Sequence, residues 1–164
     1  MTHKVHPESF RREDSEDWDS QWMDPNNLAD NLEKDYKIRQ FFKENLEDAG
    51  IEKIVIKRFP GEMKINVKTS RPGLVIGRRG QGIEELKENL EKELLSDYEG
   101  KINVEVKGIK DPWLKAKLAS DWIAKQIEQR TPYRRALKQA LGKIMNHGEV
   151  EGARVEVAGR LNGL

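Results

Sequence analysis

The chain has 164 residues, enough for one or two small domains, and its charged residues equal its hydrophobic ones at 36% each. It contains no cysteine, which excludes disulfide frameworks, thiolate catalysis and Cys-ligated zinc. No apolar run approaches the roughly 18 residues of a membrane-crossing helix, and residues 1–7 lack the apolar stretch of a secretory signal; a cytoplasmic protein with no membrane partner is expected.

The near balance of 30 basic and 29 acidic residues conceals a division. Residues 1–49 carry a net −6, residues 50–110 a net +3 and residues 111–164 a net +4. An acidic front and a basic back are either ordinary solvated surface or the mark of a polyanion-binding face.

Residues 1–27 show no clean period. They hold clustered acids (Glu13, Asp14, Glu16, Asp17, Asp19) and two tryptophans, Trp18 and Trp22. An extended arm is expected, with the indoles as anchors. Asn26 or Asn27 can cap a helix starting near Leu28. Leu28, Leu32, Tyr36, Ile38, Phe42 and Leu46 fall on one broad face through Asp48, and Gly50 is the stop.

Ile51–Phe59 is rich in β-branched residues and ends at the turn pair Pro60-Gly61. Met63, Ile65 and Val67 alternate with Lys64, Asn66 and Lys68, the period of a half-buried strand. Ile102, Val104 and Val106 repeat that pattern. Between these strands lies Arg71-Pro72-Gly73-Leu74-Val75-Ile76-Gly77-Arg78-Arg79-Gly80, followed by an amphipathic helix with Ile83, Leu86, Leu90 and Leu94 inward.

A second unit opens at Asp111-Pro112, a cap followed by proline at the first helical position. Leu114, Leu118, Ala119, Trp122, Ile123 and Ile127 form one apolar face. Pro132 interrupts, with Thr131 a candidate cap. Tyr133, Ala136, Leu137, Ala140, Leu141, Ile144 and Met145 then form another, ending near His147-Gly148. A strand is expected over Ala153–Val157. A single strand cannot pair with itself, so this unit reads as unfinished or as completed by another chain.

The turn Gly77-Arg78-Arg79-Gly80 is the sharpest chemical feature. Two glycines three apart let a backbone approach a ligand without Cβ obstruction. The arginines between them offer guanidinium groups to phosphate oxygens, and the next helix directs its first N–H groups the same way. Alone, the spacing also fits a plain helix–turn–helix connection. Within this element order it is the pattern of a KH domain of the type found in bacteria, whose loop clamps about four nucleotides of backbone. Neither G-x-G-x-x-G after a strand nor G-x-x-x-x-G-K-[ST] is present.

A second basic set is Arg134, Arg135 and Lys138, which share about a 100° arc of helix opposite the apolar face. Thr131 and Arg134 stand four residues before Arg135 and Lys138, so in-helix neutralisation is limited. The set is either a solvated polar face or an RNA contact. His3 and His6 have H-x-x-H spacing, but only His147 could join them, so no metal site is expected. No catalytic set and no cofactor are expected either. Trp113 and Trp122 read as core rather than as base-stacking platforms.

Lys4-Val5-His6-Pro7, Trp18-Asp19-Ser20-Gln21-Trp22, Ala29-Asp30-Asn31-Leu32, Asp35-Tyr36-Lys37-Ile38-Arg39 and Ile54-Val55-Ile56 carry a family likeness. So do Arg71-Pro72-Gly73-Leu74-Val75-Ile76-Gly77 through Gly80, Ala116-Lys117-Leu118-Ala119, Tyr133-Arg134-Arg135-Ala136 and Val155-Glu156-Val157-Ala158-Gly159-Arg160-Leu161. In register along the whole chain, the sequence resembles the bacterial small-subunit ribosomal protein family S-three. The resemblance implies an α+β fold: an N-terminal arm (1–27), a KH type 2 domain (28–110; helix-strand-strand-helix-turn-helix-strand) and a partial C-terminal ribosomal domain (111–164). That family continues with several strands beyond the Gly-Arg-Leu stretch, hence the expectation of a truncated second domain.

It further implies a ribosomal location in the subunit head, with small-subunit rRNA, mRNA and the neighbouring tenth and fourteenth head proteins as partners. Gly77, Arg78, Arg79, Gly80, Lys4 and Arg71 are then RNA-binding candidates. Arg134, Arg135 and Lys138 match the family's basic residues where messenger enters its channel. A free-standing KH-domain RNA chaperone or transcription or translation factor is the alternative, and an enzyme with a phosphate-cradling glycine loop is a more distant one.

Overall fold

In a computed structural model of the chain, residues 5, 18–24, 27–94, 98 and 100–160 are described. The architecture is α+β, one four-stranded sheet with helices, in the order that the sequence patterns predict for the central region. The elements are β1 (Ser20–Gln21), α1 (Leu28–Asn45), β2 (Ile51–Phe59), β3 (Glu62–Thr69), α2 (Pro72–Ile76), α3 (Gln81–Leu94), β4 (Lys101–Gly108), α4 (Ala116–Glu128) and α5 (Tyr133–Met145). Short 3₁₀ turns cover Glu47–Ala49, Arg78–Gly80 and Pro112–Leu114.

Alternation in β2 and β3 makes them a hairpin, closed at Pro60-Gly61, with Ile56 opposite Ile65 and Ile54 opposite Val67. β4 lies parallel to β3, with Met63 beside Ile102 and Ile65 beside Val104. Parallel neighbours need a long crossover, and this one contains α2, the arginine turn and α3. Ile38, Phe41 and Phe42 of α1 and Leu90 of α3 close over one face of the sheet, against Ile54, Ile56, Met63, Ile65, Val67 and Ile102.

β1 adds a parallel edge that the sequence did not announce, pairing Ser20 with Ile56 and Gln21 with Lys57. Its attachment is polar. Arg39 donates to the Asp19 carbonyl (3.2 Å) and to Ser20 Oγ (2.6 Å). Trp22 Nε1 donates to Asp35 Oδ2 (3.1 Å), and Arg58 donates twice to Asp35 Oδ1 (2.5 and 3.1 Å). Asp35 is fully buried, so Arg58 and Trp22 are what make its charge tolerable there. Trp22 is the anchoring indole; Trp18 stays largely exposed.

Several local expectations are corrected. Leu28, Leu32 and Tyr36 are exposed rather than packed, because only the arc holding Ile38, Phe41 and Phe42 meets the sheet. Asn27 is the cap residue of α1, but its side chain turns back to Asp24 Oδ2 (2.9 Å) and caps nothing. Pro132, not Thr131, caps α5, with its carbonyl accepting from the Arg135 and Ala136 N–H groups. Ala153–Val157 forms no ladder among the described residues. Its half-buried and exposed residues alternate as a strand's would, but a strand exists only with a partner to bond.

α4 and α5 pack against each other, with Leu118, Ala119, Ile123, Ala136 and Ala140 buried, while Leu141 and Met145 remain exposed, against expectation. Trp113 and Trp122 meet edge to face at 5.3 Å, and the Lys143 ammonium sits 4.7 and 4.4 Å from their ring centres. They are half-buried packing residues whose faces are engaged by α5.

Lys125 of α4 pairs with Asp48 in the 3₁₀ turn that precedes β2. Its hydrogen bond and charge hold the Asp48 carboxyl below the usual carboxylate range, and Asp48 in turn holds the Lys125 ammonium above the usual lysine range. The depressed carboxyl contributes at neutral pH and loses its contribution as pH falls through its lowered value. The raised ammonium contributes at neutral pH and loses its contribution only as pH rises through its raised value. Both groups are solvent-exposed, so salt screens the pair.

Candidate nucleic-acid interface

Proline at the first helical position starts α2, and Gly77 ends it. Gly77 has φ 70° and ψ −177°, a backbone state that is essentially reserved for glycine. A Cβ there would lie 2.8 Å from the Gly82 backbone nitrogen. Gly82 in turn could carry no Cβ without meeting the Val75 carbonyl oxygen at 2.8 Å. Chain thus packs on chain where Gly77 and Gly82 touch, and the turn between them is pushed outward.

Arg78 and Arg79 occupy that turn, both exposed and neither paired with a carboxylate among the described residues. Arg79 takes φ 55°, ψ 23°, a left-handed state costly for a side chain. Gly80 follows at φ +86°, and a Cβ built on it would meet nothing within 4 Å. Both glycines reach the surface, Gly77 exposed and Gly80 half-buried, but an added Cβ has open space at Gly80 and collides with Gly82 at Gly77. α3 starts immediately afterwards, so its first N–H groups open at the same turn that carries Arg78 and Arg79.

The other candidates are dispersed. Arg71 is exposed at the far end of α2, about 7.5 Å of helix axis away. Its backbone N–H donates to Thr69 Oγ1 (3.1 Å) and to the Ala49 carbonyl (3.2 Å). Lys4 lies outside the described residues, as do His3 and His6. Arg134, Arg135 and Lys138 are exposed on α5, opposite the buried Ala136 and Ala140, and no carboxylate pairs with them among the described residues. Arg134 instead folds onto its neighbour, its Nε donating to Tyr133 Oη (3.1 Å). This basic face lies on α5, in a different element from the turn. Sequence reasoning missed Gly82, although its place two residues past the GxxG was visible.

A family profile described as "KH domain" matches residues 37–114, and another, "Ribosomal protein S3, C-terminal domain", matches residues 123–164. The chain is 42% identical over 164 residues to "Small ribosomal subunit protein uS3" of Clostridium botulinum strain Okra, covering 99% of this chain and 72% of that one. It belongs to the uS3 family. The protein of that name from Leptospira biflexa is 39% identical over 163 residues, covering 99% of this chain and 70% of the relative. That from Endomicrobium trichonymphae is 42% identical, with 99% and 68% covered. Membership in the uS3 family fits an architecture with exposed cations on a turn between two helices and on α5.

Proposed function

We propose that this uS3 family member is a structural constituent of the small ribosomal subunit that holds RNA by its backbone and carries out no catalysis. Small-subunit rRNA is its RNA partner. The observation that supports the clamp is the Arg78-Arg79 turn, uncompensated by acids among the described residues and followed by the open backbone of Gly80. Cationic side chains, helix N–H groups and an unobstructed glycine are the parts that a phosphate ladder requires. Arg71 and Lys4 belong to the same reading as flanking contacts.

Replacing Arg78 and Arg79 together by aspartate should sharply weaken binding to a single-stranded RNA. It should also reduce the slope of log affinity against log salt by about 0.7 for each lost contact. An unchanged slope would refute the clamp. Co-sedimentation of the chain with small subunits at high salt separates a constituent from a transient chaperone, which would wash off.

Arg134, Arg135 and Lys138 support a second assignment, contact with mRNA as it enters the channel. Three cations on one arc, with no carboxylate partner among the described residues, can hold single-stranded phosphates while the ribosome pulls, with no nucleotide hydrolysis. Arg134→Ala with Lys138→Ala should leave assembly intact and slow translation through a messenger hairpin. Equal slowing, or none, on structured and unstructured messages would count against it. The tenth and fourteenth head proteins are proposed as neighbours on the family likeness alone.

A further inference from the structure

No described helix supplies core residues to the sheet face turned away from α1 and α3, although Asn66 Oδ1 at its middle is shielded from solvent. Its residues alternate with the core set and are half-buried or exposed, none buried. Lys53, Lys57, Lys64, Lys68, Lys101 and Lys107 point to this side, against the glutamates Glu62 and Glu105. Register sets Lys101 beside Glu62 but aligns lysine with lysine at three other places. Lys57 stands opposite Lys64, Lys53 opposite Lys68, and Lys68 beside Lys107. Like charges facing one another across strands destabilise a sheet, so this pattern has no rationale in folding.

Some of the charge is met internally. Lys53 pairs with Asp19 at 2.7 Å and Lys64 with Glu62 at 3.5 Å. Glu62 is further engaged by the Asn103 amide at 2.8 Å. Lys57, Lys68, Lys101 and Lys107 have no carboxylate partner among the described residues. Against these four lysines the face sets only Glu105 besides the engaged Glu62, so three adjacent strands present a net positive field at strand spacings of about 4.8 Å.

We infer that this open sheet face is a second RNA-binding surface, a platform for the phosphate backbone of folded, double-stranded RNA that is distinct from the arginine turn. Charge complementarity selects a polyanion. The absence of stacking groups selects its form: Phe59 is the one aromatic side chain of the described face, at its rim, with the Lys64 ammonium 5.7 Å from its ring centre. Single-stranded RNA is read by splaying bases onto aromatic or guanidinium planes, and duplex RNA by shape and phosphate contacts. Lysines act as point charges without a preferred plane and suit the second mode. The choice of RNA over other polyanions rests on the ribosomal reading above; the position of the surface rests on the sheet alone.

The test is the full chain carrying Lys57→Gln, Lys68→Gln, Lys101→Gln and Lys107→Gln, titrated with a mixed-sequence RNA duplex across a salt series. The slope of log affinity against log salt should fall by roughly 3, at 0.7–0.9 for each of the four contacts. The matching lysine-to-arginine variant should keep the parent slope, which separates charge from side-chain identity and from folding. An unchanged duplex slope in the glutamine variant overturns the proposal. So does displacement of the duplex by poly-glutamate at equal charge concentration, which would make the face a dock for an acidic protein. If Arg78→Asp with Arg79→Asp leaves single-strand binding intact while the lysine variant still loses duplex slope, the clamp reading fails and this one stands.

Discussion

Asp35→Ala is expected to lower the unfolding free energy by about 3–5 kcal/mol, the usual cost of removing one partner from a buried ion pair. Asp35 has no solvent exposure, and the Arg58 side chain retains 11%. Alanine would leave that guanidinium nearly buried without its acceptor and Trp22 Nε1 without a bond. The loss should appear as a lower urea midpoint with little change in the denaturant slope. It should also appear locally. The Ile56 N–H donates to the Asp19 carbonyl at 2.8 Å, so its hydrogen exchange reports whether the β1 edge is still attached. The double variant Asp35→Leu with Arg58→Met should recover most of the stability, because it removes both charges together. It should not restore β1, whose Trp22 would still lack its acceptor. A loss below about 1 kcal/mol for Asp35→Ala would mean that water reaches Arg58 and that the arm is held by other contacts.

How much of this fold can be read from the sequence depends on whether a pattern is local or tertiary. β3 and β4 were legible because their apolar residues recur every second position, and β2 because a β-branched run ends at Pro60-Gly61. β1 was not, since two residues cannot display a period and its bonds come from Arg39, twenty residues away, and from Asp35. The apolar arc of α1 was read too broadly. Leu32 lies roughly 120° around the helix from the centre of the Ile38, Phe41 and Phe42 arc, and a composition of leucines and aromatics does not say which half meets a neighbour.

The site divides in the same way. Gly77-Arg78-Arg79-Gly80 stands out because glycines bracket paired charges. The unequal duties of its two glycines emerge only when Gly82 is brought against Gly77. The alternating lysines of β3 and β4 were visible as a polar face. Their alignment depends on strand register, which one strand's sequence does not contain.

Those unequal duties set the other large expected effect. Gly77→Ala should cost about 3 kcal/mol or more, since a glycine-only backbone state adds roughly 1–3 kcal/mol of strain and a Cβ at 2.8 Å from Gly82 N adds an overpacking cost of similar size. Gly80→Ala should cost only about 1 kcal/mol, the left-handed penalty without a clash, because its Cβ meets open space. Binding should invert the contrast once stability is taken into account. At a temperature and urea concentration where each variant is fully folded, Gly80→Ala should weaken single-stranded RNA binding about tenfold, or ~1.4 kcal/mol, since its methyl occupies the space through which a phosphate reaches the backbone. Gly77→Ala acts first on the helix–turn–helix frame, and its binding loss should track the fraction in which α2 and α3 have separated. Paired urea melts and RNA titrations of the two variants decide the matter. If Gly80→Ala binds RNA as the parent does, the ligand does not approach the turn at Gly80. If Gly77→Ala is as stable as Gly80→Ala, the contact with Gly82 is not what shapes the turn.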